Sequence, residues 1–107
     1  MTDQKLQIHI KNRVGFITFN RPDKLNALTE GMLVRGIDQL KKFAVDPDVG
    51  AVVVTGKGRA FCAGGDVAVM QSGAEFGPVG TPVEAQIEIL RSWHELPLLL
   101  NSILKPT

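Results

Sequence analysis

The sequence predicts an α/β fold built from ββα units, and three observations carry that prediction. Two stretches of strand character stand one after the other near the N-terminus. An amphipathic helical stretch follows them. A continuous apolar run of strand length comes next. This order is not the plain βαβ alternation of a doubly wound nucleotide-binding sheet. At 107 residues the chain is one domain or part of a larger one.

Each element has a local reason. Leu6-Gln7-Ile8-His9-Ile10 alternates apolar and polar residues, as a half-buried strand does, because successive side chains point to opposite faces. Lys11-Asn12-Arg13 reads as a turn. Val14 to Phe19, rich in β-branched and aromatic residues, reads as a second strand, so the pair forms a hairpin. Arg21-Pro22-Asp23-Lys24 ends it, since Pro22 cannot donate to a ladder. Thr29 caps a helix start by accepting from an orphan backbone N–H. Leu33, Gly36, Ile37, Leu40 and Ala44 fall on one helical face, with Arg35, Asp38, Lys41 and Lys42 largely off it. Gly36 in that face reads as a site of close packing, because glycine alone weakens a helix. Asp46-Pro47-Asp48 stops the helix.

The run Gly50 to Thr55 reads as a strand buried on both faces. Gly56 to Asp66 is a glycine-rich loop, Val67 to Met70 a helical turn, and Gln71 to Gly80 a mobile surface loop. Thr81 with Glu84 fits a capping box, and Pro82 suits the first helical position. Val83, Ile87, Leu90 and His94 keep helical spacing, with Trp93 beside them. Pro97 kinks or restarts the helix, and Lys105-Pro106-Thr107 breaks it.

Composition excludes several classes. Apolar residues make up 44% and charged residues 21%, which is too apolar for a disordered chain. A net charge of +1 points to no nucleic acid and no anionic membrane as partner. The single cysteine, Cys62, forms no internal disulfide and fits a reducing compartment. No stretch approaches the ~20 apolar residues of a membrane span, and the N-terminus lacks a secretory pattern. The expected location is the cytoplasm. His9 and His94 lack metal-ligand spacing to a second ligand, so no metal is expected.

Chemistry concentrates in Gly56 to Asp66. The loop follows a buried strand, where open α/β sheets bind ligands. Ala63, Gly64 and Gly65 let a ligand approach the backbone, and backbone N–H groups there are able to face a developing negative charge. The residues alone leave open that the glycines only make a tight turn. A dinucleotide fingerprint fails because Phe61 occupies the third glycine position after Gly56-x-Gly58, and no P-loop is present.

Two segments carry a resemblance. Asn20-Arg21-Pro22-Asp23-Lys24-Leu25-Asn26-Ala27-Leu28 resembles the N-R-P-x-x-x-N-A segment of the enoyl-CoA hydratase/isomerase (crotonase) family. Gly56 to Val67 resembles that family's G-x-G-x-x-F-x-A-G-x-D signature, and Lys105-Pro106-Thr107 looks like its K-P turn into a further strand. The resemblance runs from about Leu6 to Thr107. It implies the first turns of a crotonase-like spiral of ββα units, in a chain that stops before the second oxyanion-hole segment and the acidic residues.

The resemblance also implies roles. Gly65 would supply one oxyanion-hole N–H to a thioester oxygen. Ala63, Gly64, Asp66 and Val67 would line the acyl-CoA site. Lys24, Leu25 and Ala27 would border coenzyme A, which is part of the substrate and not a separate cofactor. The implied activity is hydration of a 2-enoyl-CoA in fatty acid metabolism by a trimer or pair of trimers. Isomerase, thioester hydrolase, dehalogenase or decarboxylase chemistry uses the same first half. The 107 residues by themselves are expected to be inactive, or a non-catalytic interaction module. Glu75, Glu84 and Glu95 are given no catalytic role. Cys62 reads as a packed thiol, and Arg59 as either a loop anchor or a phosphate contact.

Overall fold

The computed structural model describes residues 5–64 and 80–107, the side chains of 89, 90, 92 and 93 excepted. Strands β1 (Leu6–Lys11) and β2 (Val14–Phe19) pair antiparallel, from Leu6 opposite Phe19 to Lys11 opposite Val14. The turn is shorter than expected and consists of Asn12 and Arg13, at φ 52° and 66°. Two left-handed residues in succession give the turn whose twist matches a hairpin. Asparagine tolerates that region. Arg13 is held there by its carbonyl, which accepts from the Gly50 N–H at 2.7 Å.

Helix α1 (Glu30–Val45) then crosses to β3 (Ala51–Gly56), which lies parallel to β2 in a sheet of order β1-β2-β3. Thr29 caps α1 as expected, its hydroxyl oxygen accepting from the Met32 N–H at 3.2 Å. The buried stripe is turned relative to the expected one. It consists of Met32, Leu33, Gly36, Leu40 and Phe43, with Ile37 and Ala44 only partly buried. The cause is tertiary. Gly15 leaves a hollow in β2 that the Phe43 ring fills, and a Cβ at Gly15 would lie 2.7 Å from that ring.

Leu6, Ile17 and Phe19 from the hairpin join this stripe with Val49, Val52 and Leu96 in one core. The expectation that β3 is buried on both faces is corrected. Val52 is buried, but Val53 on the opposite face is 39% exposed, because no described element covers that side. An apolar run marks strand propensity and cannot by itself say how many faces are covered.

Helices α2 (Val83–Trp93) and α3 (Glu95–Ser102) follow. The Pro82 carbonyl accepts from Gln86, so Pro82 sits one place ahead of the first helical residue. The restart expected at Pro97 falls at His94. Pro97 is the third residue of α3, where a missing N–H costs no intrahelical bond. Leu96 lies over Gly36. A methyl added at Gly36 would meet Leu96 at 3.8 Å, an ordinary contact, so close packing does not demand glycine there. The exposed Lys41–Glu95 pair between α1 and α3 contributes little.

The Lys-Pro segment closes the structure. Lys105 Nζ donates to the carbonyls of Phe43 at 2.6 Å and Asp46 at 2.7 Å, adding a second bond to carbonyls that already accept from the Asp46 and Val49 N–H groups at the end of α1. The next carbonyl, of Pro106, accepts from the Val52 N–H at 2.9 Å. Residues 105–106 are thereby laid against β3. Among the described residues no helix is long and apolar enough to cross a membrane.

Candidate active site

β2 and β3 are parallel, and their last residues, Phe19 and Gly56, are register partners. Segments 20–28 and 57–64 therefore leave the same edge of the sheet, the edge at which α/β folds bind ligands. The two segments are bonded to each other. The Ala63 N–H donates to the Leu25 carbonyl at 3.0 Å, and the Leu28 N–H donates to the Gly64 carbonyl at 2.7 Å.

Asn26 joins them from inside. It is fully buried, at φ 59°, beside Leu25 at φ 51°. Its Oδ1 accepts from the Arg21 N–H at 2.8 Å, while its own N–H donates to the Arg21 carbonyl at 2.8 Å. Its Nδ2 donates to the carbonyls of Lys57 at 2.9 Å and Ala60 at 2.8 Å. A buried amide with these partners meets the rule that buried polar groups are bonded. Arg21 Nη1 adds a bond to the Ala27 carbonyl at 2.8 Å. Gly56 makes the approach possible. A Cβ there would overlap the Phe61 carbonyl and lie 2.6 Å from the Ala60 carbonyl and 2.7 Å from Asn26 Nδ2.

Around this junction, Lys24 ends a 3-10 turn, Pro22–Lys24, with its side chain exposed, and Leu25 is half-buried. Ala27 is 8% exposed, so its methyl faces the interior. Ala63 is exposed, although its N–H is already engaged with Leu25. Gly64, at φ 108°, has open space where a Cβ would stand. Gly65, Asp66 and Val67, together with the helical turn expected at 67–70 and the loop expected at 71–79, lie outside the described residues. Leu25, Ala63 and Gly64 are thus brought together, and the exposed Lys24 precedes Leu25 in the chain.

Of the other candidates, Cys62 and Arg59 lie within the 57–64 segment, and His9 and His94 lie outside it. Cys62 is a free, half-buried thiol packed on the core, and its sulfur accepts a long 3.4 Å bond from the Gly64 N–H. Arg59 is exposed. His9 stacks on Phe16, and His94 precedes α3. Among the described residues no group of three or more His, Cys, Asp or Glu is placed to hold a metal ion. Two residues of the first motif, Asn26 and Arg21, carry no role in the sequence reading. The available signal is a polar residue inside the run Leu25-Asn26-Ala27-Leu28, where burial demands partners.

The sequence pattern described as Enoyl-CoA hydratase/isomerase matches residues 14–107. The chain belongs to this family. Within the enoyl-CoA hydratase/isomerase family, a Dictyostelium discoideum protein named probable enoyl-CoA hydratase, mitochondrial, is 36% identical over 94 residues, covering 88% of this chain and 32% of that protein. An Arabidopsis thaliana protein named 3-hydroxyisobutyryl-CoA hydrolase 1 is 42% identical over 69 residues, covering 64% of this chain and 18% of its own. The crystal structure of an enoyl-CoA hydratase/isomerase from Xanthobacter autotrophicus Py2 matches with a TM-score of 0.85 at 29% identity, covering 99% of this chain and 38% of that one. The expected crotonase-like α/β fold is what these residues form, as the N-terminal part of its relatives. The chain spans about a third of the length of the Dictyostelium relative.

Proposed function

We propose that the protein processes an acyl-CoA thioester, and that its reaction is hydration of a 2-enoyl-CoA. The observation that carries this reading is the bond from the Leu28 N–H to the Gly64 carbonyl at the C-terminal edge of β2 and β3. In a trans peptide the carbonyl and the N–H that follows it point in opposite directions. On this reading the amide that follows, of Gly65, is the donor to the thioester oxygen. Charge accumulates on that oxygen as water adds across the double bond and an enolate forms. A fixed amide bonds it more strongly in the transition state than in the substrate.

In the same reading Ala63, Gly64, Asp66 and Val67 line the acyl end, while Lys24, Leu25 and Ala27 border coenzyme A. The exposed ammonium of Lys24 suits a phosphate as a point charge. Isomerisation or thioester hydrolysis places the same demand on the oxygen, and one relative bears a hydrolase name. We also read the assembled enzyme as a trimer or hexamer acting in the cytoplasm. The exposed Val34, Val45 and Leu98 support association. The 107 residues alone are expected to give no turnover, since one donor without an acid and a base does not complete the chemistry.

Crotonyl-CoA hydration by full-length protein, with and without Gly65→Pro, tests the reading. Loss of one oxyanion donor lowers kcat by about 100-fold or more. Unchanged turnover in the proline variant would remove Gly65 from the mechanism.

A further inference from the structure

We propose that Asn26 is a positioning residue for the oxyanion loop: through bonds to both loop segments it sets where the Ala63–Gly64 turn stands, immediately before the residue proposed above as the donor. The proposal rests on the acyl-CoA reading above and deepens it. It assigns Asn26 no contact with substrate.

The geometry supplies the chain of action. The loop that leaves β3 turns two carbonyls, of Lys57 and Ala60, onto one side-chain amide group that is fully buried. The far end of the loop is bonded to Leu25 and Leu28, the residues on either side of the Asn26-Ala27 pair. The left-handed conformations of Leu25 and Asn26 direct the Leu25 carbonyl and the Leu28 N–H to Ala63 and Gly64. Asn26 therefore ties the start of the loop directly and its end through its own backbone. An oxyanion donor works only within a narrow distance range of the developing charge.

The side chain has to be an amide. An aspartate has nearly the same shape and keeps the acceptor for the Arg21 N–H. It would place an oxygen against the Lys57 and Ala60 carbonyls in place of two N–H donors. Glycine keeps the left-handed backbone and removes the side chain entirely. The two substitutions separate the donor from the backbone conformation.

The test uses Asn26→Asp and Asn26→Gly in full-length protein, with Gly15→Ala as a control. The control strains the distant contact with the Phe43 ring and lowers stability without touching either loop. Crotonyl-CoA kinetics are expected to show kcat reduced by about 10- to 100-fold in both Asn26 variants, with KM changed far less, as expected for a misplaced transition-state donor. The control keeps its kcat per folded molecule. Amide hydrogen exchange gives a second readout. The Ala63 and Leu28 amides exchange among the slow class in the parent protein, faster in the Asn26 variants, and unchanged in the control.

Wild-type kcat in Asn26→Asp overturns the proposal. So do equal losses of kcat per folded molecule in the control, or fast exchange of the Ala63 and Leu28 amides in the parent protein, a measurement that needs no variant to fold. If the parent protein turns over no acyl-CoA, the acyl-CoA reading fails. The exchange data then decide alone whether Asn26 holds the loop, and unchanged exchange in its variants rejects that.

Discussion

Replacing Lys105 by methionine isolates the contact that lays the Lys-Pro segment against the sheet. Methionine keeps an unbranched apolar stem of similar length and removes the ammonium. The lost bonds run from Nζ to the Phe43 and Asp46 carbonyls at 2.6 and 2.7 Å. Hydrogen bonds from a charged donor contribute roughly 1.5–3 kcal/mol each. Lys105 is only half-buried, so water compensates part of the loss and the low end applies. Each carbonyl also keeps a backbone bond, from the Asp46 N–H at 3.3 Å and the Val49 N–H at 3.1 Å, so neither is left unpartnered. Together these give about 2 kcal/mol for Lys105→Met. With a urea m-value near the lower end of the usual range, about 1–1.5 kcal/mol/M, the midpoint falls by roughly 1.5 M. Urea unfolding followed by circular dichroism measures this. Hydrogen exchange at the Val52 N–H, bonded to the Pro106 carbonyl next to Lys105, reports the local consequence and is expected to accelerate. A midpoint within about 0.3 M of the parent, with Val52 exchange unchanged, would show that the lysine does not hold the segment.

Two further substitutions test the packing. Gly56→Ala forces a methyl onto the Phe61 and Ala60 carbonyls and Asn26 Nδ2, so it is expected to cost about 3 kcal/mol or more, and a denaturation midpoint like the parent's would refute that geometry. Gly36→Ala places its methyl at ordinary distance from Leu96 and removes the helix penalty of glycine, so a gain of about 0.5–1 kcal/mol is expected, and a fall in Tm would show the helix contact to be tighter than it stands.

What the sequence shows depends on how local each cause is. The hairpin, the Thr29 cap and the third strand follow from neighbouring residues; the cap stands as capping chemistry puts it, β1 runs on through Lys11, and the strand expected over Gly50 to Thr55 is present one residue later, at Ala51–Gly56. The turn of the α1 stripe toward Phe43 depends on a hollow at Gly15, a residue on another element, and helical spacing alone does not contain it. The same holds for the site. The motif around Gly56 marks where a ligand approaches backbone, whereas the partners of Asn26 stand 31 and 34 positions away. Lys105 reaches 62 and 59 positions back to the end of α1. Asn26 is visible in the sequence as a polar group in an apolar run, and Lys105 as part of a helix-breaking Lys-Pro segment, in both cases with the partner unnamed. The open outer face of β3 at Val53 is a further case, because hydrophobicity records what a strand is able to bury and not what covers it.

Taken together, a parallel strand pair brings two segments to one edge, and a buried amide fastens them. We propose that the amide following the Gly64 carbonyl, that of Gly65, is the oxyanion donor. The carbonyl of a bound thioester reports on that donor directly. Isotope-edited infrared difference spectroscopy of an acyl-CoA on full-length protein gives the stretching frequency of its carbonyl. A shift to lower frequency on binding, largely lost in Gly65→Pro, is expected. A bound carbonyl at its free-solution frequency, or an equal shift in the proline variant, would contradict it.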